Sequence, residues 1–357
     1  MDWMRDEEVL AEQAAEYAHF AVGGDMAGLA DAVMRAAYRN GTMTGPGIAG
    51  TAWLRALPDE HRRELARIWA HRLAALPDDR QHEDLRFELL IVASSVVRGL
   101  DPDLLADERR SRLRVLGGEY VYPVQHRLWE LAEAEVAAGR PMDRALAAVF
   151  RRTVLVHYRC AGIKRLLEGY KGPALNPGEE WADRATADAA AYGEPWERLL
   201  AHAASATGAR PSARWERVGR ALLADAGPES VRRHVHTWWD LLGRPRTVPF
   251  AQDHYRWRDV NERFDPHNAN ALRGLAWLLS FLPARADTAA ALAALVDVSL
   301  VHVEGTGSRN PKVANAGVTA LSRVGDDAAR TELRALAGRV AFKATLTHID
   351  NALAIPS

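Results

Sequence analysis

Val313-Ala314-Asn315-Ala316-Gly317-Val318-Thr319-Ala320-Leu321-Ser322-Arg323-Val324 carries apolar or small residues at 313, 316, 317, 320, 321 and 324. The spacing i, i+3, i+4, i+7, i+8, i+11 lays one apolar stripe along an α-helix and does not fit the two-residue alternation of a strand. Pro311 suits the first helical turn, and Asn310 before it supplies a capping oxygen. Ala316, Gly317 and Ala320 are small enough to admit a second helix at close range.

The same period recurs on both sides of this stretch. Leu292, Leu295, Val296, Leu300 and Val303 form one stripe, Leu333, Leu336, Ala337 and Val340 another, and Leu346, Ile349 and Leu353 a last one. Four helices of about a dozen residues with short connections predict stacked helical hairpins of the HEAT or armadillo kind, an α-solenoid-like array. A compact all-α bundle is the alternative. Toward the N-terminus, Leu65, Ile68, Trp69 and Leu73, then Leu85, Leu89, Val92, Val96 and Leu100, then Leu128, Leu131, Ala132 and Val136 repeat the pattern. Breakers such as Leu76-Pro77-Asp78-Asp79 and Gly139-Arg140-Pro141 separate the runs, so five to seven helices are expected before residue 171. The stretch Gly169–Gly178 holds three Gly and two Pro. It divides an N-terminal helical bundle, 1–171, from a C-terminal helical repeat region, 178–357.

Composition narrows the function. The chain has 357 residues, 48% hydrophobic and 26% charged, with 46 basic and 47 acidic side chains and a net charge of −1. Such a chain builds a sizeable core and is not broadly a nucleic-acid or membrane-surface protein. The longest apolar run, Leu89 to Val97, falls far below the roughly 20 residues of a membrane span. The acidic start Met1-Asp2-Trp3-Met4-Arg5-Asp6-Glu7-Glu8 lacks the pattern of a secretory leader, and the expected location is the cytoplasm. Lys164, Lys171, Lys312 and Lys343 are the lysines, which leaves 42 arginines. The single cysteine, Cys160, excludes an internal disulfide and a cysteine-built metal site, and its apolar surroundings predict a buried thiol.

Three segments carry a family resemblance: Pro177-Gly178-Glu179-Glu180-Trp181-Ala182-Asp183, Ala271-Leu272-Arg273-Gly274-Leu275-Ala276-Trp277, and Gly307-Ser308-Arg309-Asn310-Pro311-Lys312-Val313-Ala314-Asn315-Ala316. Over roughly residues 176–354 the chain resembles the helical region of molybdate-metabolism-regulator-like bacterial proteins, which often also carry a WGR domain. No Trp-Gly-Arg motif stands in this sequence. The resemblance implies a helical scaffold and transfers no catalytic residue.

Four constellations compete for a functional role. The start of the helix at Pro311, with Arg309, Asn310, Lys312 and Asn315, offers cationic groups and helix N–H donors to an acidic group. The run Phe264-Asp265-Pro266-His267-Asn268 with Arg273 is a second capped helix start, expected along the same edge. Simple capping is the more economical explanation of either one. The His and aromatic stretch 234–259 reads as a packed layer, Trp238, Trp239 and Trp257 filling a domain junction. His234 and His236 are too close in sequence to share a helix face, so no metal site is expected. Residues 209–258 hold ten arginines against five acids, and residues 1–40 eight acids against three arginines; the two segments pair with each other or bind outside partners. No nucleophile elbow, dinucleotide fingerprint or kinase signature occurs. The leading expectation is a non-catalytic protein-binding or scaffold module without cofactor, which recognises an acidic protein surface through Arg273, Arg309, Asn310, Lys312 and Asn315. The alternatives are an enzyme with a pocket within 234–273, using Asp253, His254 or His267, and nucleic-acid binding through the arginines of 209–258.

Overall fold

The computed structural model describes residues 3–40, 46–77, 79–122, 127–158, 160–250 and 260–355. Among them stand eighteen α-helices and a single two-stranded hairpin, so the protein is all-α. No described helix is long and apolar enough to cross a membrane. The chain divides into two compact units, Met1–Tyr170 and Lys171–Ser357. The break falls inside the Gly- and Pro-rich stretch.

The first unit comprises α1 (Trp3–Val22), α2 (Met26–Asn40), α3 (Pro46–Arg55), α4 (Asp59–Ala75), α5 (Arg80–Val96), α6 (Ala106–Gly117), α7 (Trp129–Ala137), α8 (Arg144–Val156) and α9 (Ala161–Glu168). These nine exceed the five to seven that the apolar stripes predict. Length is one cause: α9 runs only eight residues, too short to repeat a stripe. Asp79 and Asp143 cap α5 and α8 through their carboxylates. Leu29, Leu65, Trp69, Leu89, Leu131, Phe150 and Ile163 fill one core. Cys160 lies in it and its Sγ donates to the His157 carbonyl. Burial pushes the thiol pKa up.

One ion pair inside this unit is buried. Arg109 Nε donates to Glu135 Oε1 at 2.6 Å, with side-chain exposures of 3% and 7%. The same guanidinium donates to the Leu104 and Pro102 carbonyls, and Arg140 pairs with the same carboxylate.

The second unit comprises α10 (Glu180–Tyr192), α11 (Glu194–Ala204), α12 (Ala213–Ala226), α13 (Pro228–Trp239), α14 (Pro266–Leu279), α15 (Ala286–Leu300), the hairpin β1 (His302–Val303) and β2 (Gly307–Ser308), α16 (Pro311–Val324), α17 (Asp327–Arg339) and α18 (Lys343–Leu353). Its helices form two rows. In one, α11, α14, α16 and α18 pack each against the next; in the other, α10, α13, α15 and α17 do the same. The pairs α10/α11, α15/α16 and α17/α18 join the rows, and α12 packs beside α11, α13 and α14. Trp181, Leu199, Val235, Leu275, Leu292, Val318, Leu333 and Ile349 fill the core.

Two glycines set the closest contacts. A Cβ at Gly274 would lie 2.2 Å from the Ala203 carbonyl oxygen, and one at Gly317 would lie 2.7 Å from Val296 Cγ2. Bare backbone therefore lets α14 lie against α11 and α16 against α15. Val303, placed by its spacing on the α15 stripe, instead pairs with Gly307 in the hairpin, because α15 ends at Leu300. Trp238 and Trp239 belong to the core of this unit and not to a domain junction.

Replacing Glu135 with Ala strands the Arg109 charge in the interior. Urea unfolding should show a loss of about 3–5 kcal/mol. Glu16→Ala removes the half-exposed partner of Arg35 and should cost less than about 1 kcal/mol.

Candidate functional site

The edge that precedes α14 is built on a buried polar cluster. Asn176 donates from its backbone N–H to Asn268 Oδ1 at 2.8 Å and from Nδ2 to Asp265 Oδ1 at 3.0 Å. Asn268 Nδ2 donates to the Asn176 carbonyl at 3.0 Å and to Glu179 Oε2 at 2.8 Å. Glu179 Oε1 accepts the Asp265 N–H at 3.0 Å. Asp265 also caps α14, accepting from the N–H groups of His267 and Asn268. All four side chains are buried. Enclosure and the neighbouring Asp265 charge push the Glu179 carboxyl up to about 7. His267 Nε2 donates to the Ala174 carbonyl at 2.9 Å and clamps the same segment.

Arg309 joins the next edge to this one. It is 9% exposed. Its Nε donates to the Glu262 carbonyl at 2.8 Å and its Nη1 to the Val298 carbonyl at 3.3 Å, with the guanidinium over the Phe264 ring. The segments leading into α14 and α16 therefore do adjoin. Asn310 caps α16, its Oδ1 accepting the Val313 N–H at 3.2 Å, and its own N–H donates to the Ser299 carbonyl. Arg309 and Asn310 are thus fasteners inside the unit.

The other three proposed residues stand on the row of α14, α16 and α18. Lys312 is exposed and has no ion-pair partner among the described residues. Asn315, one turn on, accepts from Thr345 Oγ1 at 2.8 Å through Oδ1, and its carbonyl accepts from Thr319 Oγ1 at 2.9 Å. Its Nδ2 has no partner among the described residues. Thr319 has one hydroxyl proton, already given to Asn315, so His348 Nε2 donates to it at 3.0 Å and carries the ring proton. Burial, then the charge of Arg210, lowers the His348 pKa. Arg273 is 6% exposed and donates to Asn270 Oδ1 at 3.2 Å. It lies over the Trp277 ring, which packs with Ala316 in a small cluster separate from the main core. Arg273 Nε and Trp277 Nε1 are buried donors without a partner among the described residues.

Sequence reasoning did not single out Thr319, Arg323 or His348, and placed Arg210 only among the arginines of 209–258. With Pro211, Ser322, Asn351, Ala352 and Ile355 they line a cavity of about 280 Å³ at the end of the row. The signal was present: Lys312, Asn315, Thr319 and Arg323 recur at helical spacing, the polar counterpart of the apolar stripe. Glu179 and Asn176 gave no local signal, since their partners lie 86 to 92 residues away.

Asp253, His254, Arg256, Trp257 and Arg258 lie outside the described residues. Arg232 is 2% exposed and bonds Thr288 and the Pro283 carbonyl, and Arg244 pairs with Glu180. His234 is held between Ser230 and Tyr192. Among the described residues no group of three or more His, Cys, Asp or Glu is placed to hold a metal. No protein-family model, curated protein or solved structure matches the chain.

Two measurements check this division. A carboxyl whose folded pKa is raised stabilises fully below its unfolded value and loses that contribution as pH rises through the folded one. The second unit should therefore weaken from about pH 4.5 to pH 7 through Glu179. Glu179→Gln should lower stability overall yet flatten that slope in thermal melts at pH 5 to 8. Arg309→Ala should cost about 1–3 kcal/mol by orphaning carbonyls, whereas Lys312→Ala should stay within about 0.5 kcal/mol of the parent.

Proposed function

We propose that the chain is a non-catalytic binding module whose second unit is a short stack of HEAT-like hairpins that receives an acidic protein segment. The observation that carries this reading is the polarity of one row. Lys312 and the Asn315 amide on α16 are donors without internal acceptors among the described residues. A face that holds unmatched donors and positive charge suits a partner rich in carboxylates and carbonyls. The resemblance to the helical region of molybdate-metabolism-regulator-like proteins supports the same reading. The binding set is narrower than the five residues the sequence suggests: Lys312 and Asn315 face the partner, while Arg309 and Asn310 hold the edge in shape and Arg273 lies buried over Trp277.

Fluorescence anisotropy with a labelled deca-glutamate peptide tests it. Saturable binding that falls at least tenfold in a Lys312→Glu/Asn315→Ala variant, with no binding of deca-lysine, supports the reading. Equal binding by the variant, or none by the parent, overturns it.

A further inference from the structure

The first unit contains a half-enclosed cavity of about 390 Å³ that the binding face of the second unit does not involve. At about 30 Å³ for each liquid water, it has room for about a dozen non-hydrogen atoms. Its walls come from α1, α2, α3, α5, the segment before α7, α7 and α9. Val33, Leu54, Ile91 and Val92 supply apolar surface. Trp129 stands in the wall because α9 passes close to it. A Cβ at Gly162 would lie 2.3 Å from the indole Nε1, so only glycine leaves the ring in place.

The charged groups of the wall do not cancel. Four arginines, Arg55, Arg98, Arg127 and Arg165, face three glutamates, Glu88, Glu130 and Glu133. Arg127 pairs with Glu130, and Arg165 pairs with Glu133 at 3.6 Å. Arg127 adopts φ +50°, a left-handed backbone that a non-glycine residue seldom takes and that tends to mark functional positions. Arg55 and Arg98 are exposed, and their guanidiniums have no hydrogen-bond or ion-pair partner among the described residues. Two uncommitted guanidiniums beside apolar and indole surface are the chemistry that holds an acid group on a compact carbon body.

We propose that this cavity binds a small organic anion, its carboxylate or phosphate held by Arg55 and Arg98 and its apolar body against Trp129. Glu88, 7% exposed in the wall, disfavours a second acid group at depth and so favours a ligand with one acidic end.

Isothermal titration of the full chain with benzoate, phenyl phosphate and benzamide separates the outcomes. Saturable one-to-one binding of benzoate or phenyl phosphate is expected, at least tenfold tighter than benzamide. Whichever anion binds tighter identifies the acid group. Arg55→Gln/Arg98→Gln should lose at least tenfold in affinity with an unchanged circular dichroism spectrum, since both side chains are exposed. Ala36→Phe, which fills the cavity from α2, should abolish binding of either anion. Binding of benzamide as tight as that of the anions, undiminished binding by the arginine variant, or no saturable binding at all overturns the proposal.

Discussion

The Asn176 carboxamide and the Glu179 carboxylate reach across nearly ninety residues of sequence to Asp265 and Asn268, and the edge of the second unit is set by that reach. Each backbone group that the arrival of α14 would leave unpaired finds an acceptor or donor in this cluster. Asn268 caps nothing itself. It bridges the Asn176 backbone from both sides while Asp265 holds the first turn of the helix. A buried polar network is costly when partly satisfied and strongly specific when complete. Here it dictates where the segment 174–179 lies, and with it the start of α10. Arg309 extends the constraint to α16, because its donors tie the residues before α14 to the last turn of α15.

That arrangement separates the fastened edge from the open face of the row. At the edge, backbone carbonyls take the donors of Arg309. Along α16, the polar positions recur every three or four residues and look away from the stripe that packs on α15. Thr345 and Thr319 fix the Asn315 side chain and the backbone beneath it, so the amide nitrogen is left outward in a defined orientation. An ordered donor loses less rotamer freedom when a partner arrives than a floppy one does.

Much of this was legible before any coordinates. The apolar period names α4, α5, α7, α15, α16, α17 and α18. Asp79, Asp265, Asn310 and Asp326 all cap the helices that their positions suggest. Local rules find local bonds. They fail for a short helix such as α9, which presents too few turns to display a period. They fail again for side chains whose partners are distant in sequence. Arg309 and Lys312 look alike in a string of letters, three positions apart at one helix start. Only the packing of Glu262, Phe264 and Val298 around the first makes it a fastener and leaves the second in water.

The arginines generalise this point. A guanidinium offers five donors in a rigid fork and stays charged when enclosed. The buried arginines of this chain direct those donors less to carboxylates than to backbone carbonyls at or just beyond helix ends. Arg62 bonds the carbonyls of Val96 and Arg98, where α5 ends, and Arg152 those of Glu119 and Tyr120, just after α6. Arg232 bonds that of Pro283 beyond α14, and Arg309 that of Val298 in the last turn of α15. Helix C-termini expose up to four such carbonyls each, and a cation there also meets the negative end of the helix dipole. In a chain of many short helices, that need recurs at every turn. A high arginine count is then a structural requirement first. On the proposals made above, surface recognition falls to those cations, such as Lys312, Arg55 and Arg98, that no helix end has claimed.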